Sequence, residues 1–203
     1  MTKLKEMCKT LRLAYISDIY ENVPYENPTQ FLEELFQKEL ELREEAKANR
    51  LIKKAKFLQK KSLTSFQWSE KIHFPSHIDS VELCSLNFIE RKENLILTGA
   101  PGTGKTHLAT GIGYEACNRG LEVRFFRVSD LAELLEKAWR EERLSQFRNR
   151  FKSVDLIILD EMGYVPFNKE GAELLFQLIS DWYEQKSLII TSNLEFSQWN
   201  RVF

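Results

Sequence analysis

Apolar positions in the first sixty residues recur at the spacing of amphipathic helices. In the first helix they fall every three or four residues, at Leu4, Met7, Leu11 and Ala14. Two prolines and two asparagines between residues 21 and 29 interrupt the pattern. A second helix is predicted from Gln30 with Thr29 as its N-cap, and an extension to Lys60 stays open. Its apolar stripe consists of Phe31, Leu32, Leu35, Phe36 and Leu40.

From about residue 81, short apolar runs alternate with amphipathic stretches. Four runs have the length and composition of buried strands: NLILTG, EVRFFRV, VDLIILDE and SLIITSN. Helices are predicted between them, the first ended by Gly120 and the second running from Ser129, as N-cap, to about Phe151. This alternation predicts an α/β fold with a parallel sheet covered by helices on both faces. We expect this domain, incomplete at its C-terminus, over residues 66–203. It follows a small all-helical region over residues 1–65, for which we expect a role in binding DNA or a partner protein.

Charge is spread unevenly, although the 203 residues have a net charge of only −1. Eight basic and two acidic side chains lie between Arg43 and Lys61. Two interpretations stay open for this stretch. It is either a solvated helix face or a contact for the phosphate backbone of double-stranded DNA, which requires charge but no sequence code.

The composition also bears on the compartment. The three cysteines are far apart, as is usual in a reducing compartment, and the first residues contain no long apolar leader. No run approaches the roughly 18 apolar residues of a membrane span. We therefore expect a cytoplasmic protein with no membrane partner.

The segment from Gly99 to Thr106 matches the pattern G-x-x-x-x-G-K-[ST] between a predicted strand and a predicted helix. Glycines let the backbone close around a polyphosphate, and the helix start supplies amide donors and a positive dipole end. Lys105 is predicted to bridge the β- and γ-phosphates of ATP, and Thr106 to ligate Mg²⁺. For His107, which lies inside the predicted helix, packing is the alternative role. The nucleotide-binding residues are predicted to be Gly99, Ala100, Pro101, Gly102, Thr103, Gly104, Lys105, Thr106 and His107.

Two acids end the third predicted strand. Asp160 is predicted to hold the Mg²⁺ and its water shell, and Glu161 to act as general base for the attacking water. This second carboxylate favours hydrolysis over transfer to a substrate hydroxyl. Asn193 ends the fourth strand and is a candidate to orient the lytic water or to contact the γ-phosphate, with an ordinary turn residue as the alternative. Catalysis is therefore assigned to Lys105, Glu161 and Asn193.

Four segments together resemble the IstB-like ATP-binding proteins: GAPGTGKTHLA, RLSQFRNRF, the stretch from VDLIILDEMGYVP to SLIITSN, and FSQWNRVF. The resemblance covers about residues 66–203, with a looser match before them. It implies an AAA+ ATPase that assembles with ATP on duplex DNA and assists an insertion-sequence transposase. It also implies that Lys105 and Thr106 are Walker A residues, Asp160 and Glu161 are Walker B, and Asn193 is sensor 1. Arg148, Arg150 and Lys152 fall where related ATPases carry a helical element that faces DNA.

The resemblance implies further elements beyond Asn193, which is followed here by only ten residues. Family members continue through a helix, a fifth strand and an arginine that reaches a neighbour's ATP. With a sheet order of 5-1-4-3-2, we expect the fifth strand to be missing beside residues 94–98. We also expect ATP binding to be retained, while hydrolysis by these 203 residues alone is weak because the arginine is missing.

Three other functions stay open. A DnaC-type helicase loader has the same ATPase core but a replicative helicase as its partner, in place of a transposase. A P-loop kinase would transfer phosphate to a small molecule, which Glu161 beside Asp160 disfavours. A remnant that binds ATP or DNA without turnover is the third alternative.

Overall fold

A computed structural model describes residues 3–25, 27–76, 78–163, 169–195 and 198–199. In these residues the helices are α1 Lys3–Thr10, α2 Ile16–Ile19, α3 Pro28–Ala55, α4 Ser80–Ser85, α5 Asn87–Glu90, α6 Lys105–Asn118, α7 Val128–Arg140, α8 Leu144–Asn149 and α9 Lys169–Trp182. The strands are β1 Leu95–Thr98, β2 Val123–Arg127, β3 Leu156–Met162 and β4 Ser187–Ser192. No helix in this described part is both long and apolar enough to cross a membrane.

The chain divides into two compact units, Met1–Arg50 and Leu51–Phe203. The division falls earlier than the boundary expected at residue 65. The reason is packing, since Leu51, Ala55 and Phe57 belong to the apolar cluster of the second unit.

The helical unit is built around a small apolar cluster that includes Cys8, Ile16 and Leu35. Helix α3 begins at Pro28, and the Gln30 amide in its first turn is capped by the Asn27 side chain at 2.8 Å. The predicted cap Thr29 is therefore wrong. Proline suits a first helical position because the amide that it lacks would have no partner there.

The buried face of α3 differs from the predicted stripe. Leu35 is buried, but Leu32, Phe36 and Leu40 are 47, 46 and 56 % exposed. Glu39 completes the buried face instead and is only 2 % exposed. Its carboxylate accepts hydrogen bonds from the three backbone amides of residues 14–16. These bonds explain why a charged group is buried here, and the spacing of apolar residues along α3 does not reveal them.

Helix α3 ends at Ala55 and does not extend to Lys60. The next residue, Lys56, has a φ of 62°, which is incompatible with continuing a right-handed helix.

The four strands form one parallel sheet in the order β1-β4-β3-β2. This is the predicted order without a fifth strand, and β1 lies at its edge among the described residues. Because all strands are parallel, Thr98, Arg127, Met162 and Ser192 end at the same edge of the sheet. Side chains that follow these strands are thereby brought together.

Alternate residues of the central strands face opposite layers of helices. Ile158 and Ile189 belong to the cluster under α6, whereas Ile157 and Leu188 belong to the cluster under α7 and α9. The predicted two-sided α/β arrangement is therefore confirmed. Close packing of α6 requires Gly113, where an added Cβ would lie 2.7 Å from Phe57 Cε1.

The ends of α6 and α7 can be compared with the predicted helix ends. Gly120 ends α6 with a φ of 82°, as predicted. The single helix expected from Ser129 is instead two helices, since Glu142 at φ 56° closes α7 and the Arg143 amide bonds back to Ala138 O at 2.7 Å. Ser129 lies inside the first turn of α7 and is not its N-cap, which is Arg127.

Candidate active site

The loop from Gly99 to Thr106 joins the end of β1 to the start of α6. Gly102 and Gly104 have φ values of 80° and 92°, which other residues rarely adopt. The first helical hydrogen bond of α6 runs from the Leu108 amide to Gly104 O at 2.9 Å. The amides of Lys105 and Thr106 therefore have no carbonyl within the helix and form an anion-binding end.

Lys105 lies folded over this loop. Its Nζ donates hydrogen bonds to Gly99 O at 2.7 Å and to Ala100 O at 2.9 Å. Partial burial lowers the pKa of Lys105, while the nearby Asp160 carboxylate acts in the opposite direction. The ammonium group is thus held at the mouth of the loop by two of the loop's own carbonyls.

A series of short hydrogen bonds joins α6 to the two central strands. Thr106 Oγ1 donates to Asp160 Oδ1 at 2.8 Å, and Thr191 Oγ1 donates to the same oxygen at 2.6 Å. Asp160 and Thr191 are only 2 and 1 % exposed. The hydroxyls of Thr106 and Thr191 thus fix the carboxylate of β3 between α6 and β4.

Glu161 lies at an irregularity in β3, where the register with β4 shifts between Leu159 and Met162. Its φ of 63° is unusual for a residue with a side chain, and its amide donates to Thr191 Oγ1 at 3.0 Å. Bulges of this kind redirect side chains next to active sites. The half-exposed Glu161 carboxylate lies 3.8 Å from Arg127 Nε, across the ends of β3 and β2.

The donor set at Thr106 and Asp160 suits a magnesium ion. Both residues offer oxygen, the ligand type that this hard cation requires, and Mg²⁺ in nucleotide sites takes most remaining ligands from phosphate and water. Across the part of the chain that the structure describes, no three His, Cys, Asp or Glu side chains group as a metal site. The fit therefore depends on a phosphate ligand beside Thr106.

The chain matches the sequence model of the IstB-like ATP binding protein family over residues 4–203. It belongs to this family. It is 33 % identical over 206 residues to the ATP-binding protein of insertion sequence IS232 from Bacillus thuringiensis, covering 99 % of this chain and 79 % of that one. It is also 33 % identical over 212 residues to its counterpart of insertion sequence IS5376 from Geobacillus stearothermophilus, covering 98 and 82 %. The expected resemblance is confirmed.

The fold of this IstB-like protein is also found among solved structures. AMPPCP-bound DnaA from Aquifex aeolicus superposes with a TM-score of 0.61 at 25 % identity, covering 73 % of this chain and 46 % of that one. The P-loop AAA+ fold class is thereby confirmed. Tyr164 and Pro166 of the family motif, like residues 200–203, lie outside the described residues.

Asn193, the predicted sensor of this IstB-like chain, directly follows β4 and is exposed. It lies at the sheet edge where β3 ends, close after Asp160 and Glu161. The contact to Asp160 is made by Thr191, two residues earlier, which sequence analysis missed. Its signal was a threonine inside the apolar run SLIITS. Arg127 was missed as well, although it pairs in register with Asp160.

His107 lies against residues 62–66 of the same unit. Its Nε2 is 3.1 Å from Ser62 O and 3.2 Å from Ser65 Oγ, and its ring meets Phe66 edge-on. These contacts agree with the packing role, so nucleotide contact by His107 stays a prediction. Phe66 also lines a cavity of about 310 Å³ together with Ile72 and the loop residues Gly99, Gly104 and Lys105.

The three basic residues predicted to face DNA differ in whether their charge is already paired within the protein. Arg148 Nε lies 3.2 Å from Asp181 Oδ2, and the Arg150 guanidinium stands 5.7 Å from the centre of the Phe147 ring. Lys152 is exposed. Arg148 is thus occupied in an ion pair with α9, which leaves Arg150 and Lys152 as the more accessible cations.

Proposed function

We propose that this IstB-like chain binds Mg²⁺–ATP at the Gly99–Thr106 loop and hydrolyses it. We further propose that ATP drives its self-association on double-stranded DNA, where it assists the transposase of an insertion sequence. The observation that carries the proposal is the hydrogen-bonded connection from Thr106 through Asp160 and Thr191 to the Glu161 amide. It couples the nucleotide loop to the candidate general base.

Each residue has a distinct role in this proposal. Lys105 exchanges its two loop carbonyls for the β- and γ-phosphates, and the free amides of α6 bind the same anion. Thr106 and Asp160 hold the metal, which neutralises charge that develops on the phosphates. Glu161 accepts a proton from the attacking water, and Asn193 orients that water. The cavity beside Phe66, of about 310 Å³, receives the nucleoside.

The DNA-directed part of the proposal draws on relatives. The two related proteins carry the names of insertion sequences and are named for ATP binding. The solved structures of DnaA include one bound to both AMPPCP and single-stranded DNA, again with a TM-score of 0.61. A neighbour of the same fold that binds a nucleotide and DNA together supports DNA as a partner here.

Nucleotide binding and turnover are tested with two variants and a control. Lys105→Ala is expected to abolish binding of a fluorescent ATP analogue, because it removes the cation at the phosphates. Glu161→Gln is expected to retain that affinity and to lower kcat by about 10²–10⁴, the usual contribution of a general base. Glu133→Gln, at an exposed position of α7, serves as the matched control and leaves both quantities unchanged. Wild-type affinity in Lys105→Ala would contradict the proposal.

Assembly and partner choice are tested with random-sequence duplex DNA. Oligomer size and DNA affinity are measured with ATP, with ADP and without nucleotide, and both are expected to rise only with ATP. Capture of the transposase from the same insertion sequence by the tagged protein is expected in the ATP state. Capture of a replicative helicase in its place would favour the loader alternative.

A further inference from the structure

Two adjoining hollows on the helical unit, which spans Met1–Arg50, carry an unusual set of side chains. One has a volume of about 420 Å³ and is lined by α1 and the turn after it. The other has a volume of about 240 Å³ and lies between this turn and the later part of α3. Arg12 and Ala14 line both hollows, so the two form one continuous surface.

Charge is strongly segregated on this surface. Residues 1–50 contain eight basic and ten acidic side chains, so the unit as a whole is slightly acidic. Nevertheless, the two hollows are lined by six of those eight cations and, among the described residues, by no acid. The six are Lys5, Lys9, Arg12, Arg43, Lys47 and Arg50.

Most of these cations are available to an external anion. Arg43 is the exception, because its Nε lies 2.7 Å from Glu39 Oε1. The other five are exposed, and no described acidic side chain lies within ion-pair distance of them. A concentration of unpaired cations without acids attracts polyanions.

Three amides at the turn between the hollows are not available to a phosphate. The amides of Ala14, Tyr15 and Ile16 point in one direction, but the Glu39 carboxylate already accepts all three at 2.7, 2.7 and 2.9 Å. What remains is a set of long, exposed side chains. Such side chains suit an extended row of phosphates better than one enclosed phosphate group.

The cations are also spaced for a repeating anion. Arg43, Lys47 and Arg50 follow one another along α3 at intervals of about one helical turn, or roughly 5 Å of rise, and Lys5 and Lys9 do the same along α1. In duplex DNA, successive phosphates of one strand are separated by a rise of about 3.4 Å along the helix axis. Flexible lysine and arginine stems reach successive phosphates across this difference.

We propose that this surface, from Lys5 and Lys9 of α1 to Lys47 and Arg50 of α3, binds the phosphate backbone of duplex DNA. Binding here is independent of sequence and does not require nucleotide. The inference depends on the proposed action of the protein on duplex DNA, and it adds a second, ATP-independent contact outside the ATPase core.

The test compares two double variants of the full chain that remove the same charge. Lys9→Gln with Lys47→Gln neutralises two cations of the surface, whereas Lys3→Gln with Lys38→Gln neutralises the two basic residues of the unit that do not line it. Affinity for a random-sequence duplex is measured by fluorescence anisotropy without nucleotide, over a range of salt concentrations. Thermal unfolding of both variants checks that they fold like the wild type.

The Lys9/Lys47 variant is expected to bind at least tenfold more weakly in 0.1 M salt. Its plot of log affinity against log salt is expected to be shallower by about 1.8, or 0.9 for each lost phosphate contact. The Lys3/Lys38 variant is expected to match the wild type. Equal affinities of the two variants would overturn the inference, even if ATP-dependent assembly on DNA persists. Loss of transposase capture with unchanged DNA affinity would overturn it too, and would assign the surface to an acidic protein.

Discussion

Replacement of Thr191 by valine tests whether its hydroxyl positions Asp160 and Glu161 at the edge of the sheet. The hydroxyl donates to Asp160 Oδ1 at 2.6 Å and accepts the Glu161 amide at 3.0 Å. Valine has nearly the same shape but makes neither bond, and the position is only 1 % exposed. The loss of a hydrogen bond to a carboxylate costs about 1.5–3 kcal/mol, and an unpaired amide adds about 1–3 kcal/mol.

We therefore expect Thr191→Val to lower the free energy of unfolding by about 2.5–6 kcal/mol, measured by urea denaturation. Activity is expected to fall further than ATP affinity. Glu161 keeps its left-handed conformation partly through Thr191, and a misplacement of about 1 Å in a catalytic group costs on the order of 100-fold in rate. The loop from Gly99 to Thr106 is untouched, so binding of a fluorescent ATP analogue is expected to change little.

Thr191→Ser is the matched control. It retains the hydroxyl and removes one buried methyl group, at a cost of about 0.5–1.5 kcal/mol. Its kcat is expected to stay near that of the wild type. If valine leaves both kcat and stability unchanged, or if serine is as inactive as valine, the hydroxyl does not organise this edge.

Three further predictions concern the packing of the protein. Burial raises the pKa of Glu39, but hydrogen bonds from Arg43 and three amides outweigh it, so the net pKa lies below the ordinary value of 4.5. Glu39→Gln should therefore destabilise the protein above pH 4.5 and lose this effect as the pH falls through the lowered pKa, as urea denaturation over a series of pH values falling from pH 7 would reveal. Gly113→Ala should cost about 1–3 kcal/mol of unfolding free energy, because its Cβ would lie 2.7 Å from Phe57 Cε1; an unchanged urea midpoint would contradict this. A maleimide should label Cys84 first in the native protein, since the other two thiols are at most 3 % exposed; equal labelling of all three would argue against the fold.

The arrangement of the sheet could be predicted because all four strands are short apolar runs, and the two central strands, β3 and β4, are buried on both faces. Burial of that kind leaves continuous apolar runs, and the four runs correspond to β1 through β4. The family resemblance supplied the strand order, which places Gly99, Asp160 and Asn193 at one edge of the sheet. The chemistry of the loop could be read directly because its glycines, lysine and threonine are contiguous.

Features that depend on distant partners could not be predicted. Glu39 interrupts the apolar stripe of α3, and only the amides of residues 14–16 explain its burial. Thr191 looks like an ordinary strand residue until β3 and β4 are placed side by side. The end of α7 at Glu142 lacks the glycine that marks the end of α6, so spacing alone favoured one long helix. In each case the missing information is a contact between segments far apart in sequence or a non-glycine residue in a left-handed conformation.

The hydrogen bonds at the site also indicate which side chains must change partners when nucleotide binds. A hydroxyl has one hydrogen and two lone pairs, so Thr106 can keep its bond to Asp160 while a lone pair faces a cation. The acidic side of the site therefore requires no rearrangement. Lys105, in contrast, must give up two carbonyl partners at 2.7 and 2.9 Å before its ammonium group reaches a phosphate. The cost of binding is thus concentrated in one lysine at the mouth of the loop, while Asp160, Thr191 and Glu161 stay fixed behind it.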